Sequence, residues 1–144
     1  MNKMIYEILN EVSQAQTETE RLEILKKEHS VFLEEFLYMA FSPNVVWNLP
    51  AGSPPYREST ALVGMGDVSL PRELRRIRNF IVGSANEYDF TPLKKEGLFV
   101  GILESLQKEE SQFLLSVKNK TVENDYPGVT KDLVAVAYPA MNLE

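Results

Sequence analysis

The sequence predicts an all-α fold, a single compact domain of about six or seven short helices with one long Pro/Gly-rich loop. Apolar residues recur at spacings of three and four along most of the chain, the pattern of amphipathic helices. Hydrophobic residues make up 44% of the 144 positions, enough to close one core. Neither a fixed-period repeat nor a low-complexity tract divides the chain. Residues 1–144 are therefore assigned to one domain, with residues 43–71 as a loop insertion.

The N-terminal third predicts three helices. Residues 3–15 carry four apolar side chains one helical turn apart. Thr17 precedes Glu20 by three positions, the spacing of a capping box at a second helix. A third helix with a wide apolar face is predicted over residues 30–41. The stripe of the first helix consists of Ile5, Ile8, Leu9 and Val12.

Residues 43–71 are rich in helix breakers. Pro43 disfavours helical geometry in the residue before it, so the third helix ends there. The stretch that follows holds half of the chain's prolines and several glycines, which predicts a long loop with a small hairpin around residues 64–67. Long loops inside compact domains are often functional.

The rest of the chain predicts four further elements. A helix begins near Pro71 and ends near Gly83, and another opens at Thr91. A break at residues 107–108 separates it from the next helix. After a turn at residues 125–128, a last helix is capped by Thr130 and stopped by Pro139.

The residue inventory argues against catalysis. The chain has no cysteine and one histidine, His29, so a thiolate nucleophile and a thiolate zinc site are excluded. His29 is interpreted as an exposed or capping residue. Phosphate-loop and nucleophile-elbow motifs are absent, and residues 64–66 form only a bare G-x-G. We expect a protein that is not an enzyme and that uses neither a metal nor a cofactor.

The distribution of charge is more informative than the net charge of −6. Arg72, Arg75 and Arg76 are spaced to share one helical face, and Arg78 is turned partly away. Guanidinium groups on one face suit recognition of phosphate or carboxylate. Pairing with the chain's 21 acidic residues is the alternative. Lys118 and Lys120 form a second, smaller basic spot.

Two blocks of sequence resemble a known domain. The first is Ile5-Tyr6-Glu7-Ile8-Leu9-Asn10-Glu11-Val12 with Thr19-Glu20-Arg21-Leu22-Glu23-Ile24-Leu25-Lys26-Lys27 and the helix at residues 33–41. The second is residues 98–120 followed by Tyr126-Pro127-Gly128-Val129. Together they resemble the N-terminal helical DNA-binding domain of ATP-dependent DNA ligases of the T-even phage type. The whole chain also resembles small uncharacterised proteins of T-even-type and cyanobacterial phages.

The resemblance implies a module that holds duplex DNA along its backbone and minor groove, with Lys118 and Lys120 nearest to the phosphates. Two departures limit the transfer. The Arg-rich, Gly-containing segment of the ligase domain is replaced by Leu114-Leu115-Ser116-Val117, and residues 43–71 have no clear counterpart. The nucleotidyltransferase motif K-x-D-G is absent, so ligase activity is not expected.

The leading hypothesis is a non-catalytic, stand-alone nucleic-acid-binding module acting in DNA replication, repair or transcription. It predicts that Arg72, Arg75, Arg76, Lys118 and Lys120 converge on one face, and that binding depends strongly on salt. The alternative is an acidic protein–protein adaptor or inhibitor of a host or phage protein. The candidate partners are duplex DNA and a replication or transcription protein. We expect no membrane partner and a cytoplasmic location, which is the host cytoplasm if a phage encodes the chain. The oligomeric state is left open.

Overall fold

The computed structural model describes residues 3–50, 52–58, 69–83 and 90–141. Within these ranges the regular structure is helical, and the single β feature is an isolated antiparallel bridge between Trp47 and Ile81. The prediction of an all-α fold is confirmed. The α-helices are α1 (Ile5–Gln14), α2 (Glu18–Lys27), α3 (Val31–Phe41), α4 (Leu70–Ile77), α5 (Pro92–Ser105), α6 (Lys108–Asn119), α7 (Val122–Asp125) and α8 (Lys131–Ala137), with 3-10 turns at Arg78–Phe80 and Pro139–Met141.

Several helix boundaries are fixed by capping residues, of which the sequence indicates Thr17 and Thr130. The Thr17, Ser30 and Thr130 hydroxyls accept hydrogen bonds from backbone N–H groups in the first turns of α2, α3 and α8. At α2 the capping box is only half formed, because Glu20 accepts from the N–H of Gln16 instead of Thr17. These local bonds fix where each helix begins.

The prediction of a long loop at residues 43–71 can be compared with the structure only where those residues are described. Helix α4 begins at Leu70, so the insertion cannot extend to residue 71 as predicted. Residues 44–50 and 52–58 contain no helix. Residues 59–68, which include the predicted hairpin at residues 64–67, lie outside the described residues.

The chain divides into two compact units. The first comprises Met1–Pro43 and Ser116–Glu144, and the second comprises Asn44–Leu115. The assignment of residues 1–144 to one domain stays a prediction. None of the described helices has both the length and the apolar character needed to span a bilayer.

In the first unit, helix α2 packs against α1 and α8. The predicted stripe of α1 is buried, with Leu9 and Val12 completely inaccessible to solvent. The hydroxyl of Tyr138 donates to the carbonyl of Leu25, one of the last α2 carbonyls that have no partner inside the helix. This long-range hydrogen bond holds the end of α2 to the end of α8.

A tight turn completes the first unit. The N–H of Val129 bonds to the carbonyl of Tyr126 at 3.0 Å, and Gly128 has a φ of 95°, as the third residue of a type II turn requires. The Ser13 hydroxyl of α1 donates to the Pro127 carbonyl at 2.6 Å. The Arg21 guanidinium packs so closely over Gly128 that a Cβ there would lie 2.9 Å from its Cζ. The predicted turn is therefore clamped by α1 and α2.

In the second unit, the 3-10 turn that follows α4 contacts α5. The rings of Phe80 and Phe99 meet edge to face, with centroids 5.5 Å apart. The N–H of Asn48 and the N–H of Val82 donate to the carbonyls of Phe80 and Val46, which pairs two short extended segments around the Trp47–Ile81 bridge. These contacts fix the C-terminal end of α4.

Candidate nucleic-acid interface

Helix α4 is positioned by a carboxylate that lies far away in the sequence. Pro71 occupies its first turn, and Ser69 precedes it without forming a side-chain cap. Instead, Glu110 of α6 accepts a hydrogen bond from the N–H of Leu70 at 3.1 Å. A carboxylate at this end also interacts favourably with the helix dipole. Glu110 is therefore a cap that α6 supplies to α4.

Burial of Glu110 changes its acidity. The residue is 3% exposed, and desolvation raises the pKa of its carboxyl, partly offset by the hydrogen bond from Leu70. Burial therefore disfavours the negative charge that caps α4, whereas the hydrogen bond from Leu70 favours it.

The two faces of α4 differ sharply in exposure. Leu70, Leu74 and Ile77 are buried, at 1%, 5% and 0% exposure. The opposite face carries the exposed side chains Arg72, Arg75 and Arg76, which we call the arginine face. Since the helix is anchored by its apolar side and its cap, these guanidinium groups project from a fixed backbone.

The arginines of this face differ in their ion pairing. Arg76 pairs with Glu73 of the preceding turn at 3.0 Å, while 58% of the Arg76 side chain stays exposed. No carboxylate among the residues described by the structure pairs with Arg72 or Arg75. Arg78 is exposed and begins the 3-10 turn, so it lies beyond the regular helix. The arginine face therefore presents two guanidinium groups without a described acidic partner and a third that is partly neutralised.

The predicted basic spot at residues 118 and 120 is not a pair of exposed lysines. Lys118 is 6% exposed, and its ammonium donates to the side-chain oxygen of Asn119 at 3.0 Å. A buried ammonium cannot reach a backbone phosphate in solvent without leaving its site. Lys118 therefore does not belong to an exposed phosphate-binding surface.

Lys120 is exposed but held by the backbone of the same unit. Its ammonium donates to the carbonyl of Ser42 at 2.6 Å, and burial together with the nearby charge of Lys131 lowers its pKa. Its φ of 57° places it in the left-handed region, where glycine is usual. Lys131 is exposed as well, so it adds a basic group that the sequence pattern did not indicate.

The predicted site residues are thus distributed between two units. Arg72, Arg75, Arg76 and Arg78 lie in the second unit, whereas Lys118 and Lys120 lie in the first. The predicted convergence of all of them on one face stays a prediction. The structure does bring Arg72, Arg75 and Arg76 onto one exposed helical face.

Two features of the site could not be found by local spacing. The Glu110 cap joins residues 40 positions apart, and the burial of Lys118 depends on packing that no helical pattern specifies.

Across the part of the chain that the structure describes, no group of three His, Asp or Glu side chains could hold a metal ion.

Comparison with known proteins identifies a family but no activity. No curated protein matches the chain. A family model matches residues 8–124, which are 117 of the 144 residues. The matched region includes the arginine face, its Glu110 cap and both predicted lysines. The chain therefore belongs to DUF6433, a family of unknown function.

Proposed function

We propose that this protein is a non-catalytic nucleic-acid-binding module whose arginine face contacts backbone phosphates. The observation that carries the proposal is the exposure of Arg72, Arg75 and Arg76 on one side of a helix whose other side is buried. Each guanidinium offers a planar fork of donors that matches two phosphate oxygens. Neighbouring guanidinium groups on a helix can therefore follow a strand of phosphates.

Anchoring of the helix supports the proposal. Long arginine side chains lose rotamer freedom on binding. The backbone of α4 loses no further conformational freedom, because its apolar face and its Glu110 cap already fix it. Phosphate contacts from a fixed helix position a protein on nucleic acid without reading its sequence. Duplex DNA is the class that the ligase resemblance implies.

The net negative charge of the chain is compatible with such a local contact between the arginine face and phosphates. Residues 72–78 carry four arginines against Glu73, whereas the whole chain has a net charge of −6. Repulsion between the remaining acids and DNA would restrict contact to the arginine face. We therefore propose a limited number of phosphate contacts and modest affinity.

The test is binding of a fluorescent 20-base-pair duplex, followed by anisotropy at 50 mM and 200 mM salt, with a single strand of the same sequence in parallel. The double variant R72A/R75A removes the two guanidinium groups without a described acidic partner. Alanine is a better helix former than arginine, so α4 should remain folded. We expect this variant to lose most of the binding at 50 mM salt.

The matched control is the double variant K27A/K94A, which removes the same charge from exposed positions on α2 and α5. It should bind nearly as well as the wild type. Equal losses in the two variants would mean that only net charge matters. Absence of wild-type binding at 50 mM salt would reject the proposal.

A second candidate function is a protein–protein adaptor or inhibitor. The observation that favours it is the exposed acidic surface of α2, where Glu18, Glu20 and Glu23 all face solvent. This function requires a basic partner surface and no affinity for DNA. Failure of the duplex to bind at low salt, together with salt-sensitive capture of a basic protein that E18Q/E20Q/E23Q abolishes, would favour it.

A further inference from the structure

A cavity of about 410 Å³ opens in the first unit where the end of α2 meets the start of α3 and the end of α8. Its size lies within the roughly 300–1,000 Å³ range of small-molecule sites. Lys26, His29 and Glu34 form its polar wall. The apolar wall comprises Ala137, Tyr138 and Pro139.

The imidazole of His29 is held in place on two sides. Its Nε2 lies 2.8 Å from Oε2 of Glu34, and its ring meets the Tyr138 ring edge to face with centroids 5.2 Å apart. Tyr138 is itself fixed, because its hydroxyl donates to the Leu25 carbonyl. Burial, and secondarily the charge of Glu34, raises the pKa of Tyr138, so this hydroxyl remains a donor. A histidine with one ring nitrogen engaged in this way has its other nitrogen oriented by the protein.

Lys26 supplies a positive charge to the same wall. It lies in the last turn of α2 and is exposed, and no carboxylate in the described ranges pairs with it. The neighbouring acid, Glu34, is already engaged by His29. The cavity therefore combines an ammonium without an acidic partner, an oriented imidazole and an apolar wall.

We propose that this cavity binds a small organic anion, with its carboxylate or phosphate group at Lys26 and His29 and its apolar body against Ala137 and Pro139. Glu34 acts as a positioning residue, because its bond to Nε2 fixes the ring and leaves the other ring nitrogen to donate to the ligand when the ring carries both protons. The proposal shares no residue with the arginine face, so it stands or fails independently of nucleic-acid binding.

The chain offers a direct probe, since His29 is its one histidine. Its imidazole ring protons give a single set of NMR signals, which can be followed during titration with benzoate at constant pH and ionic strength. Benzyl alcohol is the matched neutral probe, and benzylamine the cationic one. We expect a saturable shift with benzoate and none with the other two.

Variants separate this site from a general charge effect. K26A should weaken benzoate binding about three- to fivefold, as expected for loss of one solvent-exposed ion pair. K27A removes the adjacent exposed lysine, which does not line the cavity, and should leave the affinity unchanged. E34A removes the acceptor that holds Nε2 and should weaken binding, whereas E34Q keeps an oxygen that can accept from Nε2 and should bind nearly as well as the wild type.

Three results would overturn the proposal. They are an equal response to benzyl alcohol, equal losses in K26A and K27A, and a His29 shift that grows linearly without saturation. Phenyl phosphate in place of benzoate distinguishes phosphate from carboxylate ligands, because the two would differ in affinity at the same site.

Discussion

Lys120 occupies a backbone position that favours glycine. We therefore expect glycine to be more stable than alanine at this position, the reverse of their usual order in a helix. The N–H of Lys120 bonds to the carbonyl of Val117 at 3.2 Å, and the N–H of Thr121 bonds to the carbonyl of Ser116 at 2.9 Å. This pair of bonds closes α6 in a Schellman motif, whose left-handed residue is usually glycine. With a φ of 57°, Lys120 is the left-handed residue here. The perturbations are K120A and K120G.

The magnitudes follow from two contributions. A residue with a Cβ costs roughly 1–2 kcal/mol in the left-handed region, whereas glycine avoids this but loses roughly 0.4–1 kcal/mol more chain entropy on folding. K120G should therefore be more stable than K120A by about 1 kcal/mol. Both variants lose the hydrogen bond to the Ser42 carbonyl, a loss of about 1 kcal/mol. K120A should thus be about 1 kcal/mol less stable than the wild type, and K120G close to it.

Urea unfolding followed by far-ultraviolet circular dichroism measures these differences. The control is the exposed mid-helix residue Glu23 of α2, where E23A should be more stable than E23G by about 1 kcal/mol because alanine is the better helix former. The order of alanine and glycine should therefore reverse between the two positions. The same order at both would show that Lys120 is not left-handed and would refute the reasoning.

Three further perturbations test the packing of each unit. G128A should lower the free energy of unfolding by about 2 kcal/mol, because a φ of 95° is strained for alanine and a Cβ would press on the adjacent guanidinium. G101A is the control: a Cβ there has open space and should be neutral or stabilising. Equal effects of the two substitutions would contradict the turn geometry. Y138F should lose about 1–2 kcal/mol, since it leaves the buried Leu25 carbonyl without its donor, and an unchanged urea midpoint would exclude that bond. Because burial raises the pKa of Glu110 above its usual 4.5, the native protein takes up that proton at higher pH than the unfolded chain does. The free energy of unfolding of the wild type relative to E110Q should therefore rise as the pH falls through the raised pKa and level off below 4.5, and a difference independent of pH would contradict the buried charge.

Helices with a long apolar stripe could be predicted from the sequence, because one face of each must be buried. The stripe of α1 is such a pattern, and the caps of α2 and α8 are likewise local, because each joins a side chain to a backbone group three residues away. The sequence does not predict helix α7, because four residues are too few to show a period, and it indicates a turn at Asp125 instead. The helix predicted to reach Gly83 ends at Ile77 and continues only as a 3-10 turn.

The candidate site was predictable only in part. The shared face of Arg72, Arg75 and Arg76 follows from helical spacing alone, since residues three and four apart are neighbours. The burial of Lys118 was not predictable, because its place on α6 gives no sign of which neighbours cover it. The Glu110 cap joins α6 to α4, and no local pattern specifies such a pair.

The salt dependence of duplex binding tests the central claim most directly. The logarithm of the binding constant falls with the logarithm of salt concentration by about 0.9 for each phosphate contacted on a duplex. If Arg72 and Arg75 each contact one phosphate, R72A/R75A should reduce the steepness of that slope by about 1.8, and K27A/K94A should leave it unchanged. A slope that is the same in the wild type and R72A/R75A would contradict the account, because it would mean that neither Arg72 nor Arg75 contacts a phosphate.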